Sequence, residues 1–90
     1  MVGLTRAVAL KCAGRGVRVN ALVTGNVDTP LFRGLLGAPA DGRLEVAGMN
    51  PAGRFAEPDE IAAFVAFLLS DESAFITGAA LAIDGGFTAQ

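Results

Sequence analysis

Val17-Arg18-Val19-Asn20-Ala21-Leu22-Val23-Thr24-Gly25-Asn26-Val27-Asp28-Thr29-Pro30 joins two unlike halves. The first, Val17 to Val23, is apolar and rich in β-branched residues, the composition of a strand. It stops at Thr24-Gly25 and opens into a polar loop closed by Thr29-Pro30. Glycine at such a point lets the backbone take a left-handed φ or come close to a ligand without a Cβ in the way. In open parallel sheets ligands gather at the carboxyl ends of the strands, where this loop falls. By local sequence alone a plain strand-ending turn is a better reading than a ligand loop, because glycine loops are common.

Upstream, Leu4, Val8 and Cys12 recur every four residues between Val2 and Ala13. That spacing predicts a helix with one buried face and with Arg6 and Lys11 on the others. Gly14 and Gly16 predict its end, while Lys11 and Arg15 sit near the negative pole of the helix. No capping residue precedes it, so the chain is expected to begin in mid-element. Downstream, residues 31–53 hold glycines at 34, 37, 42, 48 and 53 and prolines at 39 and 51. They predict an irregular connection of a length usually found in lids or mobile segments.

Pro58 opens a second helix, with Asp59 and Glu60 at its positive end. Ile61, Phe64, Val65 and Leu68 form its predicted buried stripe, widened by Phe67 and Leu69. A turn through Phe75 and Ile76 reaches Thr77-Gly78, and a second strand, Ala79 to Ile83, ends at the turn Asp84-Gly85-Gly86. The near-continuous apolar character of Val17 to Val23 fits a strand covered on both faces, as in a parallel sheet. Helix, strand, long loop, helix, strand defines an α/β class with a right-handed parallel crossover.

Ninety residues make one domain at most. Hydrophobic residues supply 52% before any of the 12 glycines is counted, and charged residues only 18%. Typical soluble domains have about 45–50% apolar residues with glycine included and about 25% charged. A small free-standing domain needs more polar surface than this, so the chain is expected to associate with itself or with another chain. Net charge is −2, with seven scattered basic residues, which argues against nucleic acid. One cysteine and no histidine leave almost nothing for a disulfide or a zinc site. No apolar run approaches the length of a membrane span and no signal-peptide layout opens the chain, so a cytoplasmic location is expected.

Set in order, the segments Gly3-Leu4-Thr5-Arg6-Ala7-Val8-Ala9-Leu10, Gly16-Val17-Arg18-Val19-Asn20, Val27-Asp28-Thr29-Pro30 and Gly53-Arg54-Phe55 resemble the C-terminal part of the short-chain dehydrogenase/reductase family. Glu57-Pro58-Asp59-Glu60-Ile61-Ala62, Phe67-Leu68-Leu69-Ser70-Asp71, Ile76-Thr77-Gly78 and Asp84-Gly85-Gly86 continue the series. The resemblance implies that residues 1–90 are a single partial domain, the C-terminal part of a Rossmann-like doubly wound parallel sheet. It implies NAD or NADP as cofactor and hydride transfer to or from a carbonyl or alcohol. Carried over, Gly25, Val27 and Thr29 are the cofactor-binding residues: Val27 backbone groups hold the carboxamide and the Thr29 hydroxyl helps fix the carboxamide or pyrophosphate. Residues 31–50 become the substrate lid. One position departs from the pattern: the family usually has Pro-Gly where Thr24-Gly25 stands here, and without proline the loop is less rigid.

The family's Gly-rich phosphate turn, catalytic serine and Tyr-x-x-x-Lys pair lie upstream of the first helix, and this sequence has no tyrosine. Proton transfer needs a positioned acid or base, and no substitute is evident, so no catalytic residue is assigned and no turnover is expected of these 90 residues alone. Met1 falls where the family chain would continue out of the catalytic segment. The alternative is a non-catalytic interaction or oligomerisation module, pairing through its strand edges and through Phe64, Phe67 and Phe75. Cys12 is read as a packed thiol and Lys11 as a helix-end cation. Ser70 and Ser73 lack a histidine to activate them. Arg54 is read as a partner of the acids at the Pro58 helix rather than as a substrate contact.

Overall fold

A computed structural model describes residues 1–31 and 50–90. Helix α1 spans Val2–Cys12 and runs into a 3-10 turn, Ala13–Arg15. Its N-cap, Met1, supplies no side-chain hydrogen bond; the Thr5 hydroxyl instead donates to the Met1 carbonyl at 2.9 Å. The exit follows the predicted glycine signal at Gly16, whose φ of 76° is left-handed, while the Val17 amide reaches back to the Cys12 carbonyl. The buried face differs from the predicted one. Thr5 and Ala9 are buried, Val8 and Cys12 half-buried, and Leu4 is 68% exposed. The reason is the partner: α1 meets Gly78, where an added Cβ would stand 3.6 Å from that of Ala9. Small side chains fit so close an approach and leucine does not.

Strands β1 (Ala21–Thr24) and β2 (Ala80–Ile83) pair in parallel, with Ala21 opposite Ala80 and Thr24 opposite Ile83. The predicted strand Val17–Val23 is thus shortened at its start and carried one residue further. Residues 19 and 20 do pair with the chain before β2, but partly through side chains. The Val19 amide donates to the Thr77 hydroxyl, the Gly78 amide to the Val19 carbonyl, and the Ala79 amide to the Asn20 side-chain oxygen. Asn20 Nδ2 completes the set on the Ile76 carbonyl at 3.0 Å. Gly78 takes φ 73°, so the backbone there cannot continue a regular ladder.

Helix α2 spans Pro58–Leu68, beginning where the Pro58 signal places it. Glu57 ahead of it is extended, as a residue before proline prefers. Its stripe is only partly covered: Leu68 is buried, Ile61 and Phe64 are half-buried, and Val65 and Phe67 are each 38% exposed. The Phe64 and Phe67 rings stack with centroids 6.4 Å apart. At the C-terminal end the orphan carbonyls are taken up by three side chains, the first being the Ser70 hydroxyl, which donates to the Phe67 carbonyl at 2.6 Å. The Ser73 hydroxyl, 1% exposed, lies within hydrogen-bonding distance of the Phe67, Leu68 and Ser70 carbonyls. Arg18 donates to Leu68 at 2.7 Å, to Ser70 at 3.2 Å and to Ile76 at 3.3 Å, tying the helix end to β1.

Among the described residues the buried apolar side chains are Ala9, Ala21 and Leu68. Val17, Val23, Leu69 and Phe75 are exposed, the last completely. The prediction that both faces of the first strand are covered does not hold among the described residues, where Val23 and Thr24 are exposed. No helix among them is long and apolar enough to cross a membrane.

Candidate functional site

The loop after β1 is held from two sides. The Gly25 amide extends the ladder to the Ile83 carbonyl at 3.1 Å. Two residues on, Val27 forms an isolated parallel bridge with Ala56. In that bridge the Asp28 amide donates to the Ala56 carbonyl at 2.8 Å, and the Ala56 amide donates to the Asn26 carbonyl at 2.9 Å. Both peptide groups of Ala56 are therefore used, whereas those of Val27 face the other way. The Val27 carbonyl accepts from the Thr29 amide at 2.9 Å, and among the described residues no acceptor pairs with the Val27 N–H. The loop thus presents one outward backbone donor at a fixed place.

Gly25 plays a different part from either that local sequence suggests. Its φ is not left-handed. A Cβ on it would stand 3.0 Å from the Asp84 Cα and 3.2 Å from the Asp84 Cβ. The close approach it permits is to the end of β2, within the protein. Thr29 is half-buried at the far end of the loop. Gly25, Val27 and Thr29 thus lie along one loop, with Val27 turned outward and Gly25 turned against β2.

Behind the loop, residues 50–56 form a brace that the sequence does not reveal. Asn50 accepts from the Gly53 amide and donates to the Arg54 carbonyl, closing a turn in which Gly53 has φ 72°. The Ala52 amide donates to the Gly85 carbonyl at 3.0 Å. Gly85 and Gly86, at φ 62° and 90°, have no room for a Cβ against Asn50 and Pro51. Residues 50–53 are irregular, as expected within 31–53, and are held as a turn by the Asn50 side-chain amide and by Gly53. The lid assigned to 31–50 lies almost wholly outside the described residues. Asn50-Pro51 is a turn dipeptide, and it was the local signal available for this brace.

Arg54 pairs with Glu60, as its position ahead of the Pro58 helix predicts. The contact is two-pronged, at 2.6 and 2.9 Å, and the same carboxylate accepts the Glu57 amide at 2.9 Å. The Arg54 hydrogen bond, joined by the Glu57 N–H, lowers the Glu60 pKa to about 2, and Glu60 in turn raises that of Arg54. Asp84 closes the turn after β2 as expected. It accepts from the Thr88 hydroxyl at 2.7 Å, the Thr88 amide and the Gly86 amide, and the Thr88 hydroxyl is the leading cause of its lowered pKa.

Gly25, Asn26, Asn50, Arg54, Glu60 and Asp84 stand among the walls of a cleft of about 130 Å³ at the carboxyl ends of both strands. Small-molecule sites commonly run to about 300–1,000 Å³, so this cleft holds part of a ligand at most. Among the described residues no group of three His, Cys, Asp or Glu side chains could hold a metal ion. Ser73 donates to main-chain carbonyls at the end of α2, a structural role.

A parallel strand pair with its loops at the carboxyl ends, and a helix between the strands in sequence, is the arrangement of an open α/β sheet protein. Residues 1–88 match the family model described as enoyl-(acyl carrier protein) reductase. The chain is 49% identical over 89 residues to cis-4-hydroxycyclohexanecarboxylate dehydrogenase of Sinomonas cyclohexanicum, covering 99% of this chain and 34% of that protein. It is 48% identical over 92 residues to 2-(S)-hydroxypropyl-CoM dehydrogenase 3 of Xanthobacter autotrophicus, covering 99% and 36%. A short-chain dehydrogenase family protein of Francisella tularensis superposes with a TM-score of 0.94 at 40% identity, over 99% of this chain and 40% of that one. The chain belongs to the short-chain dehydrogenase/reductase family. It spans about a third of the length of the curated relatives it matches.

Proposed function

We propose that this chain supplies the nicotinamide-side half of an NAD- or NADP-dependent oxidoreductase site, acting on a carbonyl or alcohol. The observation that carries the reading is the outward Val27 N–H, held by a bridge that spends both peptide groups of Ala56 and neither of Val27. That donor fits a carboxamide oxygen. Thr29, two residues on, would supply the hydroxyl that supports the carboxamide or pyrophosphate, as the family resemblance implies. Gly25 keeps the loop at its height by resting on Asp84. When bound, the dinucleotide would give the hydride to a carbonyl or take it from an alcohol; the part of these residues is to hold and orient its nicotinamide end. The two relatives named above carry hydroxyl-bearing compounds in their names, in keeping with an alcohol or carbonyl substrate.

The 90 residues contain no tyrosine and no glycine-rich phosphate turn. Alone they are expected to show no turnover, and no NADH binding in a micromolar fluorescence titration. Purified chain, free of host enzymes, that oxidised or reduced a substrate with NAD(P) would refute this. The half-site itself is tested by titrating labelled chain with millimolar nicotinamide mononucleotide. The Val27 amide resonance is expected to shift, and an unmoved resonance counts against the assignment.

The second reading, an association module, is favoured by the surface beyond α2. Leu69 is 80% exposed and Phe75 fully so, close in sequence to the half-covered Phe64 and Phe67. Burying them would remove apolar area from water. A well-folded, strictly monomeric species in size-exclusion chromatography would sink this second reading.

A further inference from the structure

Arg54 is exposed and, by its ion pair alone, contributes little to global stability. Its hydrogen bonds nevertheless lead to the candidate site. One guanidinium nitrogen donates both to Glu60 and to the carbonyl of Phe55, the residue next to Ala56. The Arg54 carbonyl accepts from Asn50, which packs against the glycine turn after β2. Glu60 lies in the first turn of α2 and also holds the Glu57 amide. Residues 50–56 are therefore pinned to β2 at one end and to α2 at the other, with Ala56 between Arg54 and the helix. Ala56 is the residue that bridges the loop at Val27.

We propose that Arg54 and Glu60 are a positioning pair that sets the direction of the Val27 N–H through Phe55 and Ala56. This rests on the reading of Val27 as the nicotinamide donor. Both side chains also stand in the wall of the cleft, and the role assigned to them is on the bridge behind the donor. Arginine is suited to the task because its planar fork meets both carboxylate oxygens while a further N–H reaches the Phe55 carbonyl. A lysine ammonium offers one compact donor group and cannot reproduce that spread.

Amide hydrogen exchange on the labelled 90-residue chain tests this without any cofactor. The Asp28 and Ala56 amides report the bridge, and the Gly25 and Gly78 amides, bonded to Ile83 and Val19, serve as references. In Arg54→Met, Asp28 and Ala56 are expected to exchange at least about tenfold faster while the references stay within about twofold, the signature of a local opening. The Val27 amide resonance moves with them. Glu60→Gln is expected to behave like Arg54→Met, and Arg54→Lys to recover part of the protection. Unchanged exchange at Asp28 and Ala56 in Arg54→Met overturns the proposal, as does a rise shared equally by the references. Wild-type Asp28 and Ala56 amides that already exchange at the rate of an unprotected peptide overturn it too. Failure of the nicotinamide reading would appear instead in the mononucleotide titration, with the exchange pattern intact.

Discussion

Gly25→Ala separates a glycine kept for a ligand from a glycine kept for the fold. Its φ is not left-handed, so alanine meets no conformational strain there. On that ground alone the substitution would stabilise the chain by about 0.4–1 kcal/mol through the unfolded state. Against this, the new methyl would sit 3.0 Å from the Asp84 Cα, 3.2 Å from its Cβ and 3.3 Å from its carbonyl oxygen. Two of those atoms are backbone at the end of a strand paired to β1, so relief requires the strand ends to part. Overpacking of this kind costs about 1–3 kcal/mol. Set against the unfolded-state gain, the middle of the overpacking range leaves a net loss of about 1.3 kcal/mol. With a urea slope of about 1 kcal/mol/M for a small domain, the midpoint falls by about 1.3 M. Urea unfolding followed by far-UV circular dichroism measures it. Gly14→Ala is the control: nothing lies within 4 Å of its Cβ position, and it is expected to be neutral or mildly stabilising. If Gly25→Ala unfolds no earlier than wild type, the close approach to Asp84 does not govern this loop.

Arg18→Met removes three donors from the carbonyls of Leu68, Ser70 and Ile76, and a loss of about 2–3 kcal/mol is expected from such charge-assisted bonds; a change under about 0.5 kcal/mol in the same unfolding assay would refute the capping role. The Glu60 carboxyl is expected to titrate at about 2 rather than the ordinary 4.5. Because the folded value is depressed, the stability it lends is present above pH 4.5 and is lost as pH falls towards 2. Carboxyl-carbon NMR of wild type and Arg54→Met checks this, with the variant's midpoint moving up. Thr88→Val takes away the leading hydrogen bond to Asp84, so the Asp84 carboxyl is expected to titrate higher than in wild type; an unmoved midpoint would leave the main-chain amides as its whole support.

Much of the local architecture was legible because the chemistry lies within a few residues. Pro58 with Asp59 and Glu60 marks the start of α2, and Gly16 marks the left-handed exit from the turn after α1. Asp84-Gly85-Gly86 reads as a turn and is one, and Arg54 finds an acid in the helix that follows it. The parallel pairing of β1 and β2 follows from a helix lying between two short apolar runs. Where spacing misled, a distant partner was responsible. Period-four leucine and valine pointed α1 inward at Leu4, yet Gly78 selects the face of Thr5 and Ala9. Val17 to Asn20 read as strand, yet the Thr77 hydroxyl and the Asn20 amide replace the ladder there.

The candidate site divides in the same way. Sequence by itself determined that a polar glycine loop follows an apolar strand, that a parallel α/β unit surrounds it, and that the order of motifs is that of short-chain dehydrogenases and reductases. Tertiary structure alone decided what each loop residue does. Gly25 is needed by Asp84 and the Val27 N–H is turned outward by Ala56, while Asn50 and Arg54 brace the bridge from behind. Side-chain type and periodicity are written along the chain, whereas the direction of a main-chain donor depends on which neighbour has already taken the other side.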